Sequence, residues 1–161
     1  MAVLMRRFVL ALATLAAVSA PAYAASLSGV QVGDIFCAGR LSGDMAPVEA
    51  ILTDELKATI AEAQARNDAI QKATPDEKPP LGDGIPWQTH PDYAPRCSVV
   101  GMTGTAEHPQ VVLFYQFPDS SGANWSDKVE TTFVNGVLRI NDVIYADGTR
   151  LTEALVNAFK E

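Results

Sequence analysis

The sequence predicts an α+β fold, in which N-terminal helices pack on a curved antiparallel sheet of about four strands and a short C-terminal helix closes the chain. Three observations carry this. An apolar stripe with helical spacing runs over residues 53–72. Beyond a proline-rich interval, four apolar, β-branched runs follow one another from residue 97 onward. Between the last two stands Asn135-Gly136, a pair that accepts the positive φ of a two-residue hairpin turn. Helices first and consecutive strands afterwards is the order of an α+β layer, not of alternating βαβ units.

Ahead of this domain, residues 1–24 have the three parts of a secretory signal peptide. Arg6 and Arg7 give a positive start, residues 8–18 an apolar run broken only by Thr14, and Ala22-Tyr23-Ala24 the small residues of a cleavage site. The apolar run is shorter than the ~20 residues of a spanning helix, so cleavage after Ala24 is expected. It leaves residues 25–161 as one soluble domain, periplasmic or secreted. Cys37 is too far from Ala24 to be lipidated at the cleavage site, so no membrane anchor is expected. The formal net charge is −7, and all 19 carboxylates lie beyond residue 24. Such a surface repels phosphate backbones, which excludes nucleic acid as an expected partner.

Within the domain, residues 25–32 read as a short tail and residues 34–41 as a brief helix with Ile35, Phe36 and Cys37 toward its buried side. Ser42-Gly43-Asp44 breaks it, Asp44 suits a cap, and Pro47 fits a first helical turn. The helix over 53–72 carries Leu52, Leu56, Ile60, Ala63, Asn67 and Ile70 on one stripe, with Thr53 as its cap. Residues 74–96 hold six prolines and Gly82-Asp83-Gly84 without any period, so they form a long loop. Loops of that length are functional or disordered, and Trp87 and Tyr93 argue for packing. Strands are expected at 97–102, 111–117, 128–134 and 137–145. A last helix presents Leu151, Leu155 and Phe159.

Cys37 and Cys97 are the only cysteines. Zinc sites need close-spaced pairs, and a redox pair needs Cys-x-x-Cys, whereas an oxidising compartment favours a structural disulfide between these two, with two free buried thiols as the alternative.

The Leu-Thr-Asp-Glu-Leu helix start and the ending Asn-Gly-Val-Leu-Arg-Ile-Asn-Asp-Val-Ile-Tyr resemble the nuclear transport factor 2-like (cystatin-like) superfamily. More narrowly, they are similar to a group of small exported bacterial domains of unknown function. The last strand of that group reads Gly-x-Trp-Arg-Ile-x-Asp-Ile; Gly136, Arg139, Ile140, Asp142 and Val143 match, and Leu138 replaces the aromatic. The likeness covers residues 33–159. It implies a helix-backed sheet whose concave side forms a pocket, and no particular activity.

Isomerases of that fold use an Asp base with Tyr and protonated Asp donors. The counterparts here would be Tyr115 or Tyr145 with Asp142 or Glu130. His90 and His108 lack the convergent partners of a metal site, and Asp83-Gly84 lacks the alternating acids of a calcium loop. No Gly-x-Ser-x-Gly nucleophile motif is present. The expectation is therefore a non-catalytic envelope binding module without metal or cofactor, whose partner is a small molecule or an envelope protein. Trp87, Tyr93, Arg96, Tyr115, Trp125 and Glu130 are the candidate ligand-binding residues. The alternatives are a small-molecule enzyme using the sheet cavity, or a protective inhibitor or immunity-type protein.

Overall fold

The computed structural model describes residues 26–82, 84–91 and 93–160. The expected signal peptide and cleavage site, and Asp83 of the glycine turn, lie outside the described residues. Among those described, no helix is long and apolar enough to cross a membrane.

Three helices come first: α1 (Gly29–Ser42), the single turn α2 (Ala46–Glu49) and α3 (Asp54–Ala73). Four strands follow, β1 (Arg96–Gly104), β2 (Pro109–Gln116), β3 (Trp125–Val134) and β4 (Val137–Ile144), and then α4 (Leu151–Asn157). The strands form one antiparallel meander in the order β1-β2-β3-β4. The expected α+β architecture is the observed one.

The helix expected at 34–41 begins five residues earlier, at Gly29, where a tail was expected. Ser28 caps it reciprocally with Gln31, satisfying two backbone N–H groups that the first turn leaves orphaned. Glycine disfavours helix, and Gly29 and Gly33 hide this start from periodicity. Their reason is tertiary: a Cβ on Gly33 would lie 2.5 Å from Val99 Cγ2 and 2.7 Å from Val111 Cγ1. The helix backbone thus rests directly on β1 and β2, with Val32 and Phe36 fully buried beside it.

Thr53 caps α3 by accepting the Leu56 N–H at 3.2 Å. Leu56, Ile60 and Ala63 of the stripe are buried, while Ile70 is exposed, so only the first half of α3 joins the core. Just before α3, Leu52 forms a parallel bridge to Ile140, which occupies the free edge of β4. Thr53 N–H donates to the Ile140 carbonyl at 2.8 Å, and Ile140 N–H to that of Ile51 at 2.9 Å.

The β3–β4 hairpin closes through Asn135 at φ 51° and Gly136 at φ 77°, with Val134 opposite Val137. Strand alternation puts Val111, Leu113, Tyr115, Trp125, Asp127, Val129 and Val143 on the helix-covered face. Gln110, Glu130 and Asp142 stand on the opposite face. The Cys37–Cys97 disulfide joins α1 to β1 with Cα atoms 5.3 Å apart.

Candidate functional site

The helix-covered face is filled: Val111, Leu113, Val129 and Val143 are each 0 % exposed. An open cleft of about 610 Å³ lies where residues 74–96 cross the end of α1. Its walls include Arg40, Trp87, His90 and Tyr93, with proline rings between them. That volume is ordinary for a small-molecule site.

What holds this aperiodic segment in place is a set of long-range polar anchors. Asp127, 0 % exposed, accepts the Thr89 N–H at 3.0 Å and the Trp125 indole N–H at 3.1 Å, both on Oδ2. Its Oδ1 accepts the Thr89 hydroxyl. Thr89 Oγ1 in turn accepts the Ala146 N–H at 2.8 Å. The Tyr145 hydroxyl donates to the Pro86 carbonyl, and Leu81 N–H donates to Asn67 Oδ1 on α3 at 2.9 Å. Trp87 is buried edge-on against Phe36, with ring centroids 6.2 Å apart. His90 meets the Trp125 ring edge-on at 4.9 Å. A segment without secondary structure must satisfy its backbone and polar groups this way, because buried orphans are costly.

Arg40, in the last turn of α1 and 7 % exposed, forms one wall of the cleft. Its Nε donates to Gln88 Oε1 at 3.0 Å, and its guanidinium lies 4.8 Å above the centre of the Tyr93 ring. Behind it, Tyr115 stacks on Trp125 at 4.8 Å and 16°. The Tyr115 hydroxyl is sealed from solvent and has no hydrogen-bond partner. Burial, first, and the Asp127 charge push its pKa well above the usual phenol value, while Arg40 pulls the other way. Burial also raises Tyr145, with Asp127, Asp142 and Asp147 adding to it.

Of the six sequence candidates, the fold brings four together: Trp87 and Tyr93 in the cleft, and Trp125 and Tyr115 beneath it. Arg96 begins β1, exposed, outside the cleft and without an ion pair among the described residues. Glu130 is on the far face, which separates it from Tyr115, so that Tyr–carboxylate pair is not assembled. Glu130 is also not the wet side of its strand. It is 7 % exposed and bound bidentately by Arg150, Nη1 to Oε1 at 2.9 Å and Nη2 to Oε2 at 3.0 Å. Arg150 above all, with Asn141 and Gln110, lowers its pKa from 4.5 to about 2 against the opposing effect of burial. Arg150 is held protonated by the same contacts. Asp142 joins it by accepting from Arg150 Nη1 at 3.4 Å and from the Thr152 hydroxyl at 2.7 Å. Among the described residues, no group of three His, Cys, Asp or Glu side chains is arranged to hold a metal ion.

Sequence reasoning missed Arg40, Gln88 and Thr89. For Arg40 a signal existed: it stands four residues after Phe36, one turn along the same helix face, so a cation falls on an apolar stripe. Nothing local marks Thr89 as the partner of Asp127, 38 residues away.

Comparison of the chain with protein-family models, with curated proteins and with solved structures finds no match.

Proposed function

We propose that this chain is a non-catalytic binding module exported to the bacterial cell envelope, and that its ligand enters the cleft beneath residues 74–96. The observation that carries this reading is the way the fold invests Asp127, Thr89, Tyr145 and Asn67 in holding one aperiodic segment over a cleft. Long ordered loops on a rigid scaffold are where binding sites concentrate. Asp127, which anchors the cleft residue Thr89, has both carboxylate oxygens engaged by protein donors, which supports binding over catalysis. The export part rests on the signal features of residues 1–24, with the disulfide in keeping with an oxidising compartment. Membership of the nuclear transport factor 2-like superfamily belongs to the same proposal, supported by helices covering one face of an antiparallel meander.

Two measurements test it. Protein recovered from the native envelope fraction should begin at Ala25; an intact Met1 would remove the export reading. A fragment screen by 15N-detected NMR on residues 25–161 should give hits whose shifts converge on the Trp87 indole and the Arg40 side chain. Hits that converge elsewhere, or leave both unmoved, would remove the cleft as the binding site.

A further inference from the structure

Arg40 is a buried cation in an acidic chain, and its partners among the described residues are neutral. Burying a guanidinium costs several kcal/mol unless it is paired. The other strongly held arginine, Arg150, shows the usual solution, with Glu130 and Asp142 both within 3.4 Å. Arg40 has no carboxylate at ion-pair distance among the described residues. It has the Gln88 amide oxygen, the face of Tyr93 and the negative end of α1.

A guanidinium carries five N–H donors in a planar fork, and among the described residues only Nε is engaged by a protein acceptor. The terminal amino groups are not sealed off, since the only solvent-excluded side-chain polar atom lacking a partner among the described residues is the Tyr115 hydroxyl. Arg40 lines the cleft, and its guanidinium lies against Tyr93, another of the cleft's walls. Two parallel N–H groups match the two oxygens of a carboxylate or phosphate. Around them, Trp87, Tyr93, Pro86 and Pro91 offer flat apolar walls.

Resting on the binding reading above, we propose that the ligand of this cleft is an oxyanion, a carboxylate or phosphate, carried on a ring-shaped apolar body, and that Arg40 is the residue that recognises its charge. Gln88 is the positioning residue that holds the guanidinium through Nε, and Tyr93 is an apolar wall for the ligand's body.

The test uses probes of one shape and different charge, at matched ionic strength: benzoate, phenyl phosphate, benzamide and benzylamine, with inorganic phosphate alone. Binding is followed by the Trp87 indole and Arg40 Nε signals. Benzoate or phenyl phosphate should bind at least about tenfold more tightly than benzamide, and benzylamine should not bind. The tighter of the two anions identifies the headgroup. Inorganic phosphate should bind more weakly than phenyl phosphate; equal binding would overturn the apolar body. In Arg40→Lys, which keeps the charge and loses the fork, the preferred anion should weaken by about tenfold. In Arg40→Gln the preference for anions should vanish. Tyr93 is exposed, so Tyr93→Ala should fold normally and weaken every ring-bearing probe while keeping the anion preference. Probes that reach Trp87 regardless of charge, or an anion preference that survives in Arg40→Gln, would overturn the proposal and leave the cleft a binding site. No response at Trp87 or Arg40 to any probe would count against both readings.

Discussion

Two acidic residues of β3, Asp127 and Glu130, are three positions apart and face opposite sides of the sheet, and the fold treats them differently. Glu130 is met by a charge: Arg150 grips both its oxygens, Asp142 shares the arginine, and Thr152 at the start of α4 completes the set. Asp127 is met by neutral donors alone, a backbone N–H, a hydroxyl and an indole N–H. On the far face the charges are neutralised in place and pin α4 against β3 and β4. On the cleft side, Asp127 and Arg40 form no ion pair among the described residues, and each is held by neutral partners. A charge paired internally is neutralised in place, whereas the Arg40 guanidinium, which lines the cleft, is held by neutral groups. The difference agrees with the proposal that a ligand binds on the side of residues 74–96.

The strongest way to break the cleft side is to cut its covalent tie. Replacing Cys37 and Cys97 together by Ser should lower unfolding free energy by roughly 4 kcal/mol on the chain-entropy model, for a sequence separation of 60. Urea denaturation reads this directly, and an unchanged midpoint would show that packing of α1 suffices. Next in size is Asp127→Ala, which strands the Thr89 and Trp125 N–H groups and should cost about 3 kcal/mol and expose residues 84–91 to proteolysis.

The comparison is sharpened by removing charge without shape. Asp127→Asn can keep an oxygen toward Thr89 N–H and Trp125 and turn its amide toward Thr89 Oγ1, so a loss of only about 1 kcal/mol is expected. Glu130→Gln removes the charge that Arg150 needs and should cost about 1–2 kcal/mol at neutral pH, a modest figure because Arg150 is partly exposed. The folded-state pKa of Glu130, about 2, lies below its ordinary 4.5, so the proton favours the unfolded chain. Its contribution is full above pH 4.5 and is lost as pH falls toward 2. Parent and Glu130→Gln should therefore converge in stability at the acid end, and a constant gap down to pH 2 would refute the pairing. Smallest is Gly136→Val, at the hairpin tip and remote from both clusters, which should cost about 1 kcal/mol through positive φ and leave cleft binding unchanged.

Locally determined features were legible in the sequence. Asn135-Gly136 specifies its turn through the φ values those residues accept, and the 53–72 stripe specifies a helix through its period, with bounds one residue from those observed. Strand order followed from short connections, and the disulfide from there being two cysteines in a chain with export features. Trp87 and Tyr93 stood out as aromatics in a segment that otherwise has no reason to carry them. The start of α1 at Gly29 did not show, because helix propensity counts Gly29 and Gly33 as breakers, and only the close approach of Gly29 to Met102 and of Gly33 to Val99 and Val111 explains them. Alternation also assigned Glu130 to a face without telling what covers that face, so Arg150 turned an apparently wet position into a buried ion pair. Arg40, Thr89 and Asp127 became a site only when residues far apart in sequence converged. Propensity and period act over a few residues, whereas the energy that places a buried charge depends on every dipole around it, and those dipoles are brought together by the fold alone.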